Sequence, residues 1–308
     1  MNNENSILKD TERLYQKSLA SINIYELDDD ETFKDVTEVI MKHENTPVDL
    51  KKAIQEDHIR CFVFLYPSDG LKIKGYITLP DPTKMKKPIP LVLLLRGGNR
   101  LFCLPHPNEY SAQQNFAVIS TTFRGGISEG EDEFGGNDVN DIKNLFDFLP
   151  DLEKKLRVHF HPTHQYMIGV SRGAMQMFLA LGRYPEYQKK IKKVVSVTGM
   201  LNFIHAIDER PDVKQTMIKD FGLPEGTLAK EWIAYRQPVR YVSSIDKNMP
   251  ILIIQGTKDI RISKQEGLDM YHELKKTGHN VSYDEIANAE HMLENMPSYA
   301  YEILKWLE

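Results

Sequence analysis

Ser171 lies in the stretch Gly169-Val170-Ser171-Arg172-Gly173. A serine hydroxyl is a weak nucleophile unless a base takes its proton and a third group orients that base. Asp259 and His291 follow in that order further along the chain, which is one of the chain orders in which a hydroxyl–imidazole–carboxylate triad occurs. The chemistry such a set performs is acyl transfer. His291 accepts the proton of Ser171 as it attacks a carbonyl, Asp259 holds the imidazole tautomer and steadies its cation, and the backbone N–H of Arg172 helps bind the oxyanion. Taken singly, Asp259 reads equally well as a helix cap, and His291 is one of ten histidines. The three residues together, each just past an expected strand end, favour the triad.

The elements that must position these residues are legible as short apolar runs. Strands are expected over 59–65 and 72–78, joined by the turn Pro67-Ser68-Asp69-Gly70, and over 91–95, 116–121, 166–170, 194–198, 251–255 and 281–286. Five of the last six are mainly apolar, as buried parallel strands are, and 281–286 is mixed. Helical spacing occupies 138–148, 174–181 and 264–276. The alternation predicts an α/β fold with a mostly parallel, eight-stranded, doubly wound sheet. In such sheets ligands bind beyond the carboxyl ends of the strands, where Ser171, Asp259 and His291 fall. Residues 1–58, with helical spacing over 7–19 and 33–43, read as a helical N-terminal extension. Residues 199–248 lack a strand signal and read as a helical cap inserted into the catalytic domain of 59–308.

Composition narrows the function classes. Of 308 residues 41% are hydrophobic and 27% charged, with a net charge of −5 and no dense basic face, so a nucleic-acid partner is not expected. Two cysteines without a CxxC pair make no disulfide framework. The N-terminus has neither a basic nor an apolar region of the kind a signal peptide carries, and no apolar run reaches membrane-spanning length. The expectation is a cytoplasmic protein with no membrane partner. Triad chemistry needs no metal or organic cofactor.

Three stretches give the chain a family likeness. They are Leu95-Arg96-Gly97-Gly98-Asn99; then Phe123-Arg124-Gly125-Gly126 with Phe134-Gly135-Gly136-Asn137-Asp138-Val139-Asn140-Asp141; and the serine turn with Asp259 and His291 downstream. Over about residues 59–308 the chain resembles the catalytic domain of the prolyl oligopeptidase family of serine peptidases. The resemblance implies the α/β-hydrolase fold, hydrolysis through an acyl-enzyme, and the Gly98 N–H as second oxyanion donor beside that of Arg172. Two departures stand out. Arg96-Gly97-Gly98-Asn99 replaces the family's usual His-Gly-Gly-Pro, and residues 1–58 are too short for the β-propeller that many members carry. Short peptides and carboxylic esters are both consistent substrates. The contrasting readings are a carboxylesterase without peptidase activity, a non-catalytic interaction protein on the same fold, and an acyl transferase.

Other residues carry weaker signals. Arg96, Asn99, Trp232 and Tyr235 are candidates for contacting substrate. The Arg172 side chain either enters the pocket or packs against the first hairpin. His159, His161 and His164 sit in an expected solvated loop, with no carboxylate or cysteine to complete a metal site. The acidic run Glu129–Glu133, which includes Asp132, reads as solvated, and Asp138 and Asp141 as first-turn helix residues.

Overall fold

A computed structural model describes residues 2–112 and 115–308. The apolar runs form the inner strands of one sheet: β4 (Ile89–Leu95), β5 (Ala117–Thr121), β6 (Phe160–Val170), β7 (Ile191–Val197) and β8 (Ile251–Gly256). The hairpin β2 (Arg60–Ser68) and β3 (Leu71–Leu79) lies on one flank, and β9 (Val281–Ile286) on the other. A short strand, β1 (Phe33–Asp35), pairs antiparallel with β2, giving the order β1-β2-β3-β5-β4-β6-β7-β8-β9. From β5 to β9 every pairing is parallel. The mixed composition of β9 follows from its edge position, where half of its residues meet solvent.

Alternation along β4 divides the interior. Leu91, Leu93 and Leu95 face the larger core, built with α4 (Asn140–Leu156), α5 (Arg172–Arg183) and α9 (Lys264–Lys276). Val92 and Leu94 face the opposite layer, closed by α10 (Tyr299–Leu307). Helices thus cover both faces, as a parallel sheet requires. Between β7 and β8 the chain makes α6 (Phe203–Glu209), α7 (Pro211–Phe221), α8 (Thr227–Tyr235) and a 3₁₀ segment, Pro238–Ser244.

Two expectations are corrected. The sheet has nine strands rather than eight, because part of the expected helix over 33–43 is β1; only Thr37–Lys42 (α2) is helical there. The N-terminal segment therefore contains a strand beside α1 (Asn2–Ala20) and α3 (Val48–Glu56), and its Ile24, Tyr25, Val36, Ile40 and Leu50 share a core cluster with Cys61, Val63 and Tyr76 of the hairpin. His161 and His164 are not in a loop: β6 begins at Phe160, held by the Ile89 N–H donating to the His159 carbonyl at 2.8 Å. The two imidazoles meet Nδ1 to Nδ1 at 2.8 Å. Among the described residues no cluster of three His, Cys, Asp or Glu could hold a metal, and no helix is long and apolar enough to cross a membrane.

Candidate active site

Ser171 occupies the sharp turn from β6 into α5, with φ 54° and ψ −121°. Such a backbone is costly for a side-chain-bearing residue and persists where surrounding structure imposes it, most often at functional sites. Here the Ser171 N–H donates to the Val197 carbonyl at 2.9 Å. Two positions later, a Cβ on Gly173 would sit 2.1 Å from the Leu95 carbonyl oxygen, so only glycine lets α5 start this close to β4. The Arg172 N–H, first in α5, has no acceptor within its own helix and lies at the positive end of the helix dipole.

His291 Nε2 is 3.1 Å from Ser171 Oγ, and His291 Nδ1 is 2.9 Å from Asp259 Oδ2. Asp259 follows β8, and its second oxygen accepts the N–H groups of Arg261 at 2.8 Å and Ile262 at 3.0 Å. Burial acts to raise the Asp259 pKa, but the facing His291 and these N–H donors outweigh it and hold the carboxyl below its usual range. Gln255, which the sequence did not single out, adds an Nε2 bond to Asp259 at 3.2 Å. The buried carboxylate is thus ionised and fixed, the condition for orienting an imidazole.

The loop after β4 brings Gly98 beside this set. Its φ of +66° is open to glycine, and a Cβ there would fall 2.2 Å from the Phe102 carbonyl oxygen. Arg96 is 6% exposed and does not line the cleft over Ser171 and His291. Its guanidinium donates to the carbonyls of Thr122, Arg100 and Phe102, each at 2.9 Å, and so ties the loop to β5. Burial pushes its pKa down to about 10.

Arg172 takes neither of its two expected orientations. The side chain, 2% exposed, turns into the protein and pairs with Asp132 at 2.6 Å and Asp138 at 2.5 Å. It also donates to the Gly98 carbonyl at 2.9 Å. Asp132 completes the clamp by accepting the Arg100 and Phe134 N–H groups, both at 2.9 Å. Burial opposes ionisation of Asp132, but Arg172 outweighs it and keeps the carboxyl below its usual range. Asp132 is therefore a buried ion-pair member and not part of a solvated run, and Asp138 serves Arg172 and the Gly135 N–H rather than only a helix end.

A cleft of about 190 Å³ opens over Ser171 and His291. Asn99 lines it, with Phe102, Phe134 and Met200, and the cap contributes Val213 and Met217 of α7. Trp232 and Tyr235 do not line it. Both sit on α8, where Trp232 stacks under Arg236 at 3.7 Å and Tyr235 under Arg183 at 3.7 Å, so helix packing consumes their faces. Leu14 of α1 also lines the cleft; nothing local in the sequence marks it.

A serine–imidazole–carboxylate chain at the strand ends of this sheet defines a serine hydrolase of the α/β-hydrolase fold. The chain belongs to the prolyl oligopeptidase family, whose family model matches residues 106–308. It is 30% identical over 227 residues to an uncharacterized peptidase of Bacillus subtilis, YtmA, covering 71% of this chain and 81% of that protein. It is 23% identical to the human acylamino-acid-releasing enzyme, covering 67% of this chain but only 29% of that one. Among solved structures, an acylaminoacyl peptidase in complex with Z-Gly-Gly-Phe-chloromethyl ketone aligns with TM-score 0.63 at 18% identity, over 79% of this chain and 40% of that one. An esterase of Pyrococcus furiosus aligns with TM-score 0.58 at 17% identity, over 82% and 92%.

Proposed function

We propose that Ser171, His291 and Asp259 form the catalytic triad of a hydrolase acting on short, N-blocked peptides and on small carboxylic esters. The observation that carries this reading is the continuous hydrogen-bond chain of 3.1 and 2.9 Å on a strained turn. Ser171 Oγ bonds to the substrate carbonyl carbon as its proton passes to His291 Nε2. The oxyanion is held by the N–H groups of Arg172 and Gly98. His291 then protonates the leaving nitrogen or oxygen as its bond to carbon breaks, and water, deprotonated by His291, releases the acyl group. Each oxyanion donor is worth roughly a hundred- to a thousandfold in rate.

The preference for blocked substrates rests on charge. The single carboxylate of the cleft lining, Asp212, is engaged by Arg210 at 2.8 Å, while the other two arginines, Arg172 and Arg261, are paired with Asp132 and Asp138 and with Asp10. A lining with no free carboxylate offers no counter-charge to a free α-amino group. The names of the acylamino-acid-releasing relatives agree with that preference. The test is a matched set: a p-nitrophenyl ester, a free dipeptidyl p-nitroanilide and its N-acetylated form, with wild type and Ser171→Ala. The expected order is blocked anilide and ester cleaved, free anilide poorly, and Ser171→Ala inert. A fully active Ser171→Ala protein overturns the triad; preferred cleavage of the free anilide overturns the substrate class.

A further inference from the structure

A second cavity of about 240 Å³ lies next to the catalytic cleft. The two spaces share three side chains, Leu14 of α1, Cys103 of the loop after β4, and Met292, which follows the candidate base. Asn45 and Ala300 of α10 line the cavity but not the cleft. At ~30 Å³ per water-sized group its volume takes about eight such groups.

The partition consists of side chains that line both spaces. Met292 and Leu14 are flexible apolar side chains, and a methionine refills irregular space readily. Burial pushes the Cys103 thiol up to about 12, so it is neutral. Cys103, Met292 and Leu293 all hold left-handed backbones, with φ of 56°, 59° and 58°. Such strain, gathered along one wall, is typical of functional surfaces.

The lining favours an occupant without net charge, since Lys17 and Glu109 contribute one charge of each sign. Burial, with Lys17 second, pushes the His106 imidazole down to about 3, and burial raises the Tyr76 and Tyr110 phenols, so all three are neutral near pH 7. Arg96 is held by backbone carbonyls, and Glu294 pairs with Arg13 at 2.5 Å. Most of the remaining wall is apolar, including Leu94, Leu95, Val170 and Met296.

Position assigns the half of the substrate. In acyl transfer the base hands its proton to the leaving group, which therefore lies on the histidine's side, while the oxyanion donors hold the acyl carbonyl. The catalytic cleft contains Ser171 and His291 together with the candidate donors Gly98 and Arg172. The second cavity contains none of these four and adjoins them at Met292, the residue after His291, and at Gly97, where a Cβ would be 3.0 Å from the Ser171 Cβ. We infer that this cavity is a leaving-group subsite, reached by displacement of Leu14 and Met292, for an uncharged apolar amine or alcohol of up to about eight non-hydrogen atoms. This inference rests on the triad reading above.

The experiment holds the acyl group constant and varies the alcohol, using methyl, propyl, butyl and hexyl acetates, whose leaving-group chemistry is nearly uniform. In wild type kcat/KM rises about threefold to fourfold per methylene, as burial of each predicts. Ala300→Phe and Asn45→Trp fill the cavity from two elements. In either variant the hexyl-to-methyl ratio falls at least tenfold, whereas the ratio across methyl esters of lengthening acids is unchanged. Protection supplies a readout without turnover: 1-hexanol slows fluorophosphonate labelling of Ser171 in wild type and not in the filled variants. A flat alcohol series with Ser171 labelled, or filling variants that alter the acyl series instead, overturns the subsite. Failure of fluorophosphonate to label folded wild type defeats the triad reading itself.

Discussion

The guanidinium of Arg172 donates to the carbonyl of Gly98 at 2.9 Å while it grips Asp132 and Asp138. The residue after the candidate nucleophile therefore fixes, through its side chain, the loop that carries Gly98, the second candidate oxyanion donor. Both candidate donors are thus tied to one hydrogen-bonded frame, which sets their spacing.

Arg172→Lys tests that frame. Lysine keeps a charge but cannot span Asp132, Asp138 and Gly98 with one planar fork. The expected result is a fall in kcat of about 10- to 100-fold, with KM changed less than about threefold, since oxyanion contacts strengthen in the transition state. Arg172→Met leaves two buried carboxylates unpaired and should cost about 3–5 kcal/mol in urea unfolding. Equal kcat in Arg172→Lys and wild type would remove the frame from catalysis.

Asp259→Asn should preserve the fold and reduce kcat about 10⁴-fold, because the amide favours the wrong imidazole tautomer. The check is kcat on a p-nitrophenyl ester alongside far-ultraviolet circular dichroism. A variant within tenfold of wild type would mean that Asp259 only caps the turn through Arg261 and Ile262.

The candidate triad stands out because its signals are local: a glycine-flanked serine, and an acid and a histidine just beyond apolar runs. The inner strands were legible for the same reason. β1 was not, since three residues at a sheet edge carry no periodicity of their own. Asp132 escaped because a buried carboxylate and a solvated one look alike in sequence, and only the fold brings Arg172 to it. Arg96 read as a substrate contact, whereas its guanidinium is held by the carbonyls of Arg100 and Phe102 in its own loop and of Thr122 just past β5. Trp232 and Tyr235 misled because helical spacing shows an aromatic face but not the arginine that covers it. Leu14 reaches the cleft from a helix more than a hundred residues away in the chain, which no local pattern encodes.

Glu266 should make stability fall with rising pH. It lies in the first turn of α9, 2% exposed, and burial, reinforced by Asp259 and Glu209, pushes its pKa up to about 8 despite the Asn202 and Leu201 N–H donors. The folded state therefore binds this proton more tightly than the unfolded chain, whose glutamate titrates near 4.5. Its favourable contribution is complete below that value and is lost as pH rises through about 8. Glu266→Gln should match wild type near pH 4.5 and exceed it in Tm by several degrees at pH 9. A Tm difference independent of pH would show that Glu266 does not titrate in this window.

Asp10 of α1 should restrain the cleft's free positive charge. Arg261 stands two residues beyond Asp259 and lines the cleft, yet its Nε bonds Asp10 and its Nη2 bonds the Thr11 hydroxyl, both at 2.8 Å. Burial works against ionised Asp10, but hydrogen bonds from Arg13 and Arg261 outweigh it and hold the carboxyl below its usual range. Partly exposed pairs of this kind contribute about 0–1 kcal/mol each, so Asp10→Ala should shift Tm by less than about 3 °C. The larger effect is on binding. Without Asp10 the guanidinium is free to meet an anionic substrate group, so KM for p-nitrophenyl hemisuccinate should fall about two- to fivefold at low salt, and the gain should shrink at 1 M NaCl, where the Debye length is about 3 Å. KM for the neutral acetate should not move. If both esters respond alike, α1 acts on the cleft through the Leu14 wall and not through the charge of Arg261.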